Sequence, residues 1–552
     1  MATAITITRP RTAEEFARAA VLSVPSEMSE SPLLGILGVI LGAGIVTLTS
    51  RMISLGLPDF RGARGFSFDQ AAWIGTAFDF GLMFIGPFIV FVGGLIGPRR
   101  VLLAAATIFT GLLVFLPLVH SYSLVLAMAL VGGLSSGTFY PLTLTFALRN
   151  IPPRFLPYTI ALYATSVDGA VNVAPTLYGW SRNHLSWHWM FWTSAVITPV
   201  MMFFIYYGIP KIAPPKRNGE MPSFAGFLYA GLGLALMLSA LEQGQRLDWW
   251  RSGVYNALFW SGALLSLCAI VRRLRVPNPL VALPHLWTWN TILLGMLLFW
   301  FRFTLAGTIV IIPQTLAIRG FDPDQIGPAV IWSAIPLLPL ALFAGLLLSR
   351  RLDPRLLFAA GLACTAVSAI LNANYDSAWA AENYYRTELL TGVGQAFSFI
   401  GLVGCIILQA VSVGALSKGE WVMTTSAYFH TIRIFGGTAS AIYVSHFLAE
   451  REKVHSNLLL GMHASQGNWI TDWNIRAMTA GLYGKSSGLA AAGSRAVDLI
   501  ASRVRLQAYS LAFVDAFLLL ALECACALIF VALLRKLPIN YSELAALQPR
   551  KR

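Results

Sequence analysis

The 552 residues are 57% hydrophobic and only 12% charged, with a mean hydropathy of +0.68. Soluble domains carry about 25% charged residues, so composition excludes a large water-soluble protein at the outset. The net charge of +14 does not point to nucleic acid, because the basic residues stand in short groups between apolar runs, such as Arg99–Arg100, Lys216–Arg217, Arg272–Arg273 and Arg350–Arg351. Loops held against an anionic cytoplasmic membrane face have that pattern.

In chain order, residues 1–32 form a polar tail with no cleavable leader, expected in the cytoplasm. Six apolar runs follow near 33–58, 70–96, 100–119, 122–148, 155–180 and 187–209, each long enough to cross about 30 Å of hydrocarbon as a helix. The proline-bearing linker Pro210–Pro222 is the strongest break. Two runs come next, near 224–243 and 253–271, then a second basic linker. The last six lie near 288–313, 326–349, 355–373, 384–414, 421–447 and 508–534.

The fold class expected is an all-α polytopic membrane protein of 14 transmembrane helices arranged 6+2+6. A first bundle takes 33–209, a linker with two inserted helices takes 210–287, and a second bundle takes 288–534. Residues 448–507 read as a long periplasmic loop with an amphipathic helix near Ala496–Gln507, and 535–552 as a cytoplasmic tail. Barrel strands would alternate in polarity over about ten residues, and no stretch does. The cysteines Cys268, Cys364, Cys405, Cys524 and Cys526 all fall in apolar runs and suggest neither a disulfide framework nor a metal site.

Charge fixes the expected orientation. With the amino end inside, the cytoplasmic segments hold 22 of the 39 Lys and Arg, and the short outside loops hold 7. Shifting the count by one span would reverse this bias, so both ends are placed inside (N-in/C-in). A faint repeat supports two related halves. Gly93-Gly-Leu-Ile-Gly-Pro-Arg-Arg100 after the second span is echoed by Gly345-Leu-Leu-Leu-Ser-Arg-Arg-Leu-Asp-Pro-Arg355 after the second span of the last six.

Several motifs stand in a fixed order. Leu48-Thr-Ser-Arg-Met-Ile-Ser-Leu-Gly-Leu-Pro58 is in the first span and Trp73-Ile-Gly-Thr-Ala-Phe78 in the second. Gly94 and Gly97-Pro-Arg99-Arg100 mark the turn after it, and Gly133-Leu-Ser-Ser-Gly137 is in the fourth. Asp168-Gly169 through Ala174-Pro175-Thr-Leu-Tyr-Gly179 is in the fifth, Ala240-Leu-Glu-Gln-Gly244 in the first inserted span, and Arg433 with Gly436–Gly437 near the end. Together these resemble the fourteen-span drug:proton antiporter branch of the major facilitator superfamily, the EmrB/QacA type, over residues 33–535. The resemblance implies the major facilitator fold, proton-coupled efflux, and gating roles for Gly94, Gly97, Arg99, Arg100, Gly133, Gly137, Pro175 and Gly179. It also implies a bacterial inner membrane, with a periplasmic adaptor and an outer-membrane channel as partners. The sequence departs from the family at four landmarks: Thr49 takes the first-span aspartate position, Ala129 the fourth-span arginine position, the loop motif lacks its Asp-Arg segment, and in the fifth span Ala174 and Tyr178 replace motif residues around Pro175.

Charges inside spans mark function, since each costs a few kcal/mol at the bilayer centre unless paired or hydrated. At 1.5 Å per residue, Arg51 lies ~10 Å and Asp79 ~14 Å below the outer ends of their spans, while Asp168 and Arg302 lie ~20 Å above the inner ends of theirs. An Arg51–Asp79 ion pair is therefore expected, with Asp168 and Arg302 facing the same cavity and Arg433 joining them. Asp79 or Asp168 is the candidate proton carrier, against a static ion pair that only holds helices. Trp73, Phe78, Trp300, Tyr428 and His430 are candidates for an apolar substrate cavity, against lipid contact or packing. Glu242 and Glu388 sit near outer span ends, where solvation is expected.

The function expected is secondary active efflux of hydrophobic or amphipathic compounds by alternating access. A transporter of one anionic metabolite is the alternative that Arg51, Arg302 and Arg433 suit. A membrane enzyme is a different class. Gly133-Leu-Ser135-Ser-Gly137 matches GxSxG, but inside an apolar helix rather than on a strand-to-helix turn. No cofactor, metal or nucleic acid is implied.

Overall fold

The computed structural model describes residues 32–152, 154–209, 224–275, 286–414, 419–463 and 468–546. The amino-terminal tail, the linker 210–223, most of the basic linker after Arg275 and the extreme carboxyl end lie outside the described residues. The molecule is 86% helical, with no strands among the described residues.

Among the described residues, seven α-helices precede the proline linker: α1 (Pro32–Arg64), α2 (Phe68–Ile96), α3 (Pro98–Phe115), α4 (Tyr122–Ser136), α5 (Phe139–Asn150), α6 (Leu156–His184) and α7 (Trp189–Gly208). Two more follow it, α8 (Phe224–Gly244) and α9 (Gly253–Arg275). The next group is α10 (Trp289–Thr304), a π-helical stretch (Gly307–Ile311), α11 (Ile312–Ala317), α12 (Pro323–Ile331), α13 (Leu337–Ser349), α14 (Pro354–Asn372) and α15 (Ala381–Ser412). Last come α16 (Gly419–His463), α17 (Trp469–Tyr483), α18 (Leu489–Ala532) and α19 (Tyr541–Ala546).

Among the described residues, eleven helical segments are long and apolar enough to cross a membrane. The three other expected spans fall on α6, on α12 with α13, and on α16. α6 carries Asp168 and Asn172, α12 and α13 are parted by a turn over 332–336, and α16 runs on into a polar extension. Fourteen crossings are consistent with these elements.

Local chemistry sets the helix ends. Ser67 caps α2, its hydroxyl accepting from the Gln70 amide at 3.1 Å while the Gln70 side chain accepts from the Ser67 amide at 2.9 Å. Gly97, at φ 103°, makes the tight turn into α3, a conformation that a Cβ would strain, and Pro98 opens the next helix. The two arginine turns that sequence comparison paired do the same job. Arg99 Nη1 donates to the Ile209 carbonyl at 3.3 Å, just past the end of α7, and its guanidinium lies over Tyr206. Arg355 Nη1 donates to the Leu534 carbonyl at 2.8 Å, just past the end of α18. Each arginine thus answers the unsatisfied carbonyls and negative dipole at a helix carboxyl end.

Asp353 caps α14, accepting from the Arg355 amide at 3.0 Å and from its guanidinium at 2.6 Å. Burial pushes this carboxyl up, but the Arg355 hydrogen bonds outweigh burial and hold it below the usual carboxylate range. A depressed folded value makes its contribution present above the unfolded value of about 3.9 and lost as pH falls through the folded value. Asp353→Asn is therefore expected to lower the thermal midpoint at neutral pH and to lose that effect in acid, as thermal scans at the two pH values would read.

Packing divides around a seam. α1 packs on α5, α6 and α7, and α2 on α4; on the other side α14 packs on α15 and α18, and α16 on α10 and α18. Across the seam α6 meets α12, α13 and α15, while α2 meets α16. Small residues allow the tight crossings. A Cβ on Gly137 would come 2.8 Å from the Leu82 carbonyl of α2, and one on Gly394 2.9 Å from the Gly361 carbonyl of α14. α8 lies against both α2 and α16, and α9 packs on α8.

The expected loop at 448–507 is largely helical. α16 continues to His463, α17 follows, and α18 runs unbroken from Leu489, so the short helix placed near Ala496–Gln507 is the first part of a 44-residue helix. No proline interrupts these residues, so nothing stops either helix at the expected membrane boundary. Asp515 holds the hairpin, bonded by Arg451 Nε at 2.6 Å and by His455 Nε2 at 2.7 Å.

Candidate functional site: a charged cavity at the seam

A cavity of about 720 Å³ lies where α1 and α2 face α10 and α16, with α8 closing one side. Its apolar wall includes Val46, Ile53, Leu57, Phe78 and Ile434. Into it face Arg51, Asp79, Glu242, Arg246, Arg302 and Arg433. It extends past Phe68 and Gln245, at the ends of α2 and α8 that the charge bias places outside.

Each charge is held by a particular neighbour. Arg51 does not pair with Asp79, because its Nη2 donates at 2.6 Å to the Ile309 carbonyl in the π-helical stretch. Passing from i→i+4 to i→i+5 bonding disturbs the carbonyl ladder there, and such stretches often mark functional sites. Asp79 instead turns to α8, where its carboxyl and that of Glu242 are hydrogen-bond partners. The same wall is knit by Gln243, whose Nε2 donates to Thr76 Oγ1 at 2.7 Å. Two carboxyls in such contact repel each other strongly when both are ionised. The expected Arg51–Asp79 ion pair is therefore corrected: the depths match, but the two side chains point to different neighbours. Glu242, expected to be solvated, is part of the cavity wall.

Asp168, one per cent exposed on α6, has Arg302 as its nearest charge, and neither carboxyl oxygen has a hydrogen-bond partner among the described residues. Arg302 is seated against the glycine pair of α16: a Cβ on Gly436 would come 3.0 Å from its Cγ, and one on Gly437 3.2 Å from Nη2. The Arg433 guanidinium stands 3.7 Å from the Tyr140 ring centroid, a cation–π contact, and repels Arg302. Below Arg433 a second space of about 70 Å³ is lined by apolar side chains such as Leu144, Phe399, Ile406 and Phe429, with His430 and Arg433 at its boundary.

The other sequence candidates scatter. Phe78 lines the cavity and also packs on Gly132. Trp73 lies under Arg246, Trp300 packs on Phe530 of α18, and Tyr428 packs on Gly295, so these three are not among the residues lining either space. His430 is buried against Gly86 and Tyr140. Gly133 and Gly137 receive α2, while Gly179 receives the start of α12. Gly94 has open space around it, Pro175 lies buried within α6, and Arg100 is exposed. Sequence reasoning missed Tyr140, Gln243 and the π-helical stretch. A polar Glu-Gln pair inside an otherwise apolar α8 is the signal that could have shown the second acid.

Ser135 of the GxSxG match donates to the Val131 carbonyl at 2.9 Å, a turn back on its own helix. Among the described residues, no group of three or more His, Cys, Asp or Glu is placed to hold a metal.

Comparison with known proteins agrees with this architecture. The family model described as Major Facilitator Superfamily matches residues 39–407. The chain is similar to the probable multidrug resistance protein EmrY of Escherichia coli, 22% identical over 75% of this chain and 79% of that one. It is likewise similar to the fatty acid resistance protein FarB of Neisseria gonorrhoeae, 21% identical over 74% of this chain and 79% of that one. Among solved structures, the proton:xylose symporter XylE shares the fold, with a TM-score of 0.54 at 12% identity over 94% of this chain and all of that one.

Proposed function

Since the chain belongs to the Major Facilitator Superfamily, we propose that it exports hydrophobic and amphipathic compounds across a bacterial inner membrane, driven by inward proton flow. In this reading 33–209 and 288–534 are the two bundles that rock about the cavity, and the helices inserted within 210–287 brace one edge. The observation that carries it is the seam cavity, whose walls are apolar and whose charged groups come from both sides. Greasy walls with a few placed polar groups suit ligands of this kind. The Asp79–Glu242 pair and Asp168 are the groups that exchange protons with the outside and the cytoplasm in turn.

The arginines favour a second, narrower reading, transport of anions. Arg51, Arg302 and Arg433 all face the cavity, and among the described residues Arg302 and Arg433 have nitrogen atoms without hydrogen-bond partners. An amphipathic acid satisfies both readings, with its head between the guanidiniums and its chain against the apolar wall. The name of the relative FarB, which refers to fatty acid resistance, is in keeping with this.

Proteoliposomes with an imposed pH gradient test the proposal, using dodecanoate and the cation ethidium as probes. Gradient-driven movement of at least one probe is expected, and movement of neither would overturn the reading. Asp79→Asn and Asp168→Asn are each expected to uncouple transport from the gradient; full coupling in both would remove these acids from the mechanism.

An adaptor is the proposed partner, and its docking surface is the helical extension of α16, α17 and α18. Trp469 is 75% and Trp473 64% exposed there, as exposed aromatic anchors of interfaces are. Trp469→Ser with Trp473→Ser is expected to reduce drug resistance in cells while leaving transport in proteoliposomes unchanged. Equal loss in both assays would place the tryptophans in the transport cycle instead.

A further inference from the structure

Outside the cavity, one acid is fully enclosed and takes no part in the mechanism so far. Glu388 on α15 has no exposed surface. Its Oε2 accepts from Thr308 Oγ1 at 3.2 Å, and Thr308 stands in the π-helical stretch after α10. The hydroxyls of Thr391 and Ser333 also approach the carboxyl, but they donate to the carbonyls of Thr387 at 3.0 Å and Val330 at 2.6 Å. No Arg, Lys or His is ion-paired with Glu388 among the described residues. Tyr384, a turn back on the same helix, is the ionisable group beside it; the elements packed on α15 bring Asp168 on α6 and Arg302 on α10, and Arg51 of α1 reaches the neighbouring π-helical stretch. Of these, Arg51 is committed to the Ile309 carbonyl, and Arg302 faces Asp168.

The surroundings of Glu388 also join the two sides of the seam. Gln395 Nε2 donates to Thr308 Oγ1 at 3.1 Å, and Asn172 Nδ2 of α6 donates to Gln395 Oε1 at 2.7 Å. Arg51 of α1 holds the adjacent residue of the same π-helical stretch. The first half of the chain thus holds the segment that donates to Glu388 in two ways, Arg51 of α1 directly and Asn172 of α6 through Gln395.

We propose that Glu388 is a second proton-binding site, separate from the cavity acids, whose proton is retained while the Asn172–Gln395 and Arg51–Ile309 contacts are closed and exchanges when they part. A carboxylate in this enclosure, offered one neutral hydroxyl and no cation, would be an uncompensated buried charge, which costs several kcal/mol. The neutral acid meets no such cost, and it keeps Thr308 as a donor to its carbonyl oxygen. When α6 and α1 move away from α10 and α15, water reaches the group and the proton leaves to it. The bond pattern of the π-helical stretch makes this segment the element that both halves bias. The inference rests on the proposed alternating-access reading for its purpose, but the measurement below needs no substrate.

Infrared spectroscopy of the full chain in lipid membranes tests it, through the protonated-carboxyl band in wild type, Glu388→Gln and Glu388→Asp. The band component lost in Glu388→Gln and retained in Glu388→Asp is expected at neutral pH. In deuterium oxide that component is expected to exchange slowly in wild type and at least ~5-fold faster in Asn172→Ala, since losing a buried hydrogen bond of about 1–2 kcal/mol shifts an opening equilibrium by roughly 5- to 30-fold. A wild-type spectrum identical to that of Glu388→Gln would show that no proton resides there and overturn the proposal. So would a band that vanishes on adding sodium at constant pH, which would assign a metal cation, or an exchange rate unchanged by Asn172→Ala. Failure of transport in proteoliposomes would overturn the efflux reading while leaving these results intact.

Discussion

Replacing Arg433 with alanine is expected to cut transport of dodecanoate at least ~30-fold, with a smaller effect on ethidium. Removing one partner of a desolvated charge contact costs roughly 2–5 kcal/mol, and about 1.4 kcal/mol is tenfold. Arg433 stands at the boundary of both spaces, so its loss removes the cation on the floor of the upper one and merges it with the apolar space below. Its Tyr140 contact also goes, which relaxes the layer that separates the two. Arg433→Lys keeps the charge without the planar fork and its stacking, and is expected to recover only part of the rate. Initial rates in proteoliposomes measure all three variants. Equal losses for the acid and the cation would assign Arg433 to helix packing rather than to recognition of the anion.

The second large effect is structural. Gly133 of α4 faces the backbone of α2 so closely that any side chain would strike the Phe78 carbonyl and approach the Leu82 amide at 3.1 Å. Gly133→Leu is therefore expected to abolish folded protein in the membrane, and Gly133→Ala to lower its thermal midpoint clearly. Overpacking of this kind costs about 1–3 kcal/mol where neighbours give way, and more where the obstacle is backbone. Gly94, with open space around it, is the control: Gly94→Ala is expected to leave the midpoint nearly unchanged. Fluorescence-detected size exclusion with a thermal ramp reads these differences. If Gly133→Leu yields normal, monodisperse protein, the tight α2–α4 crossing is wrong.

These residues also show what was legible in the sequence. Apolar length placed the spans, because a helix must satisfy its backbone internally across hydrocarbon. Counting residues along a helix gave depth, and it put Arg51, Asp79, Asp168 and Arg302 near the same level. Depth does not give rotation about the helix axis or the identity of the facing helix. Depth alone matches Asp79 with Arg51, whereas the structure sets it against Glu242, 163 residues further along the chain, across the contact between α2 and α8. Glu388 failed for a related reason. It is seven residues into its helix, which reads as shallow, yet α10, α12 and α6 pack around that end and leave it no water. The helical extension beyond the membrane was hidden because polar residues do not end a helix; only proline, glycine or a cap would have done so.

The position of α8 has a consequence for where cargo goes. In a seam of two bundles, the gap between facing helices is an open slot through which an amphipathic molecule could slip into the lipid leaflet. Here that slot, between α2 and α16, is panelled by α8, with Met83, Leu238, Ile434 and Phe435 forming a dry joint and Gln243 and Arg246 fastened to Thr76 and Asp69. α9 stands outside it as a second layer, with little of its surface buried by the protein. The panel turns a side door into a wall. In the proposed efflux reading, cargo that enters the chamber is thereby directed along its axis, past Gln245 and Phe68, to the aqueous side rather than back among the acyl chains.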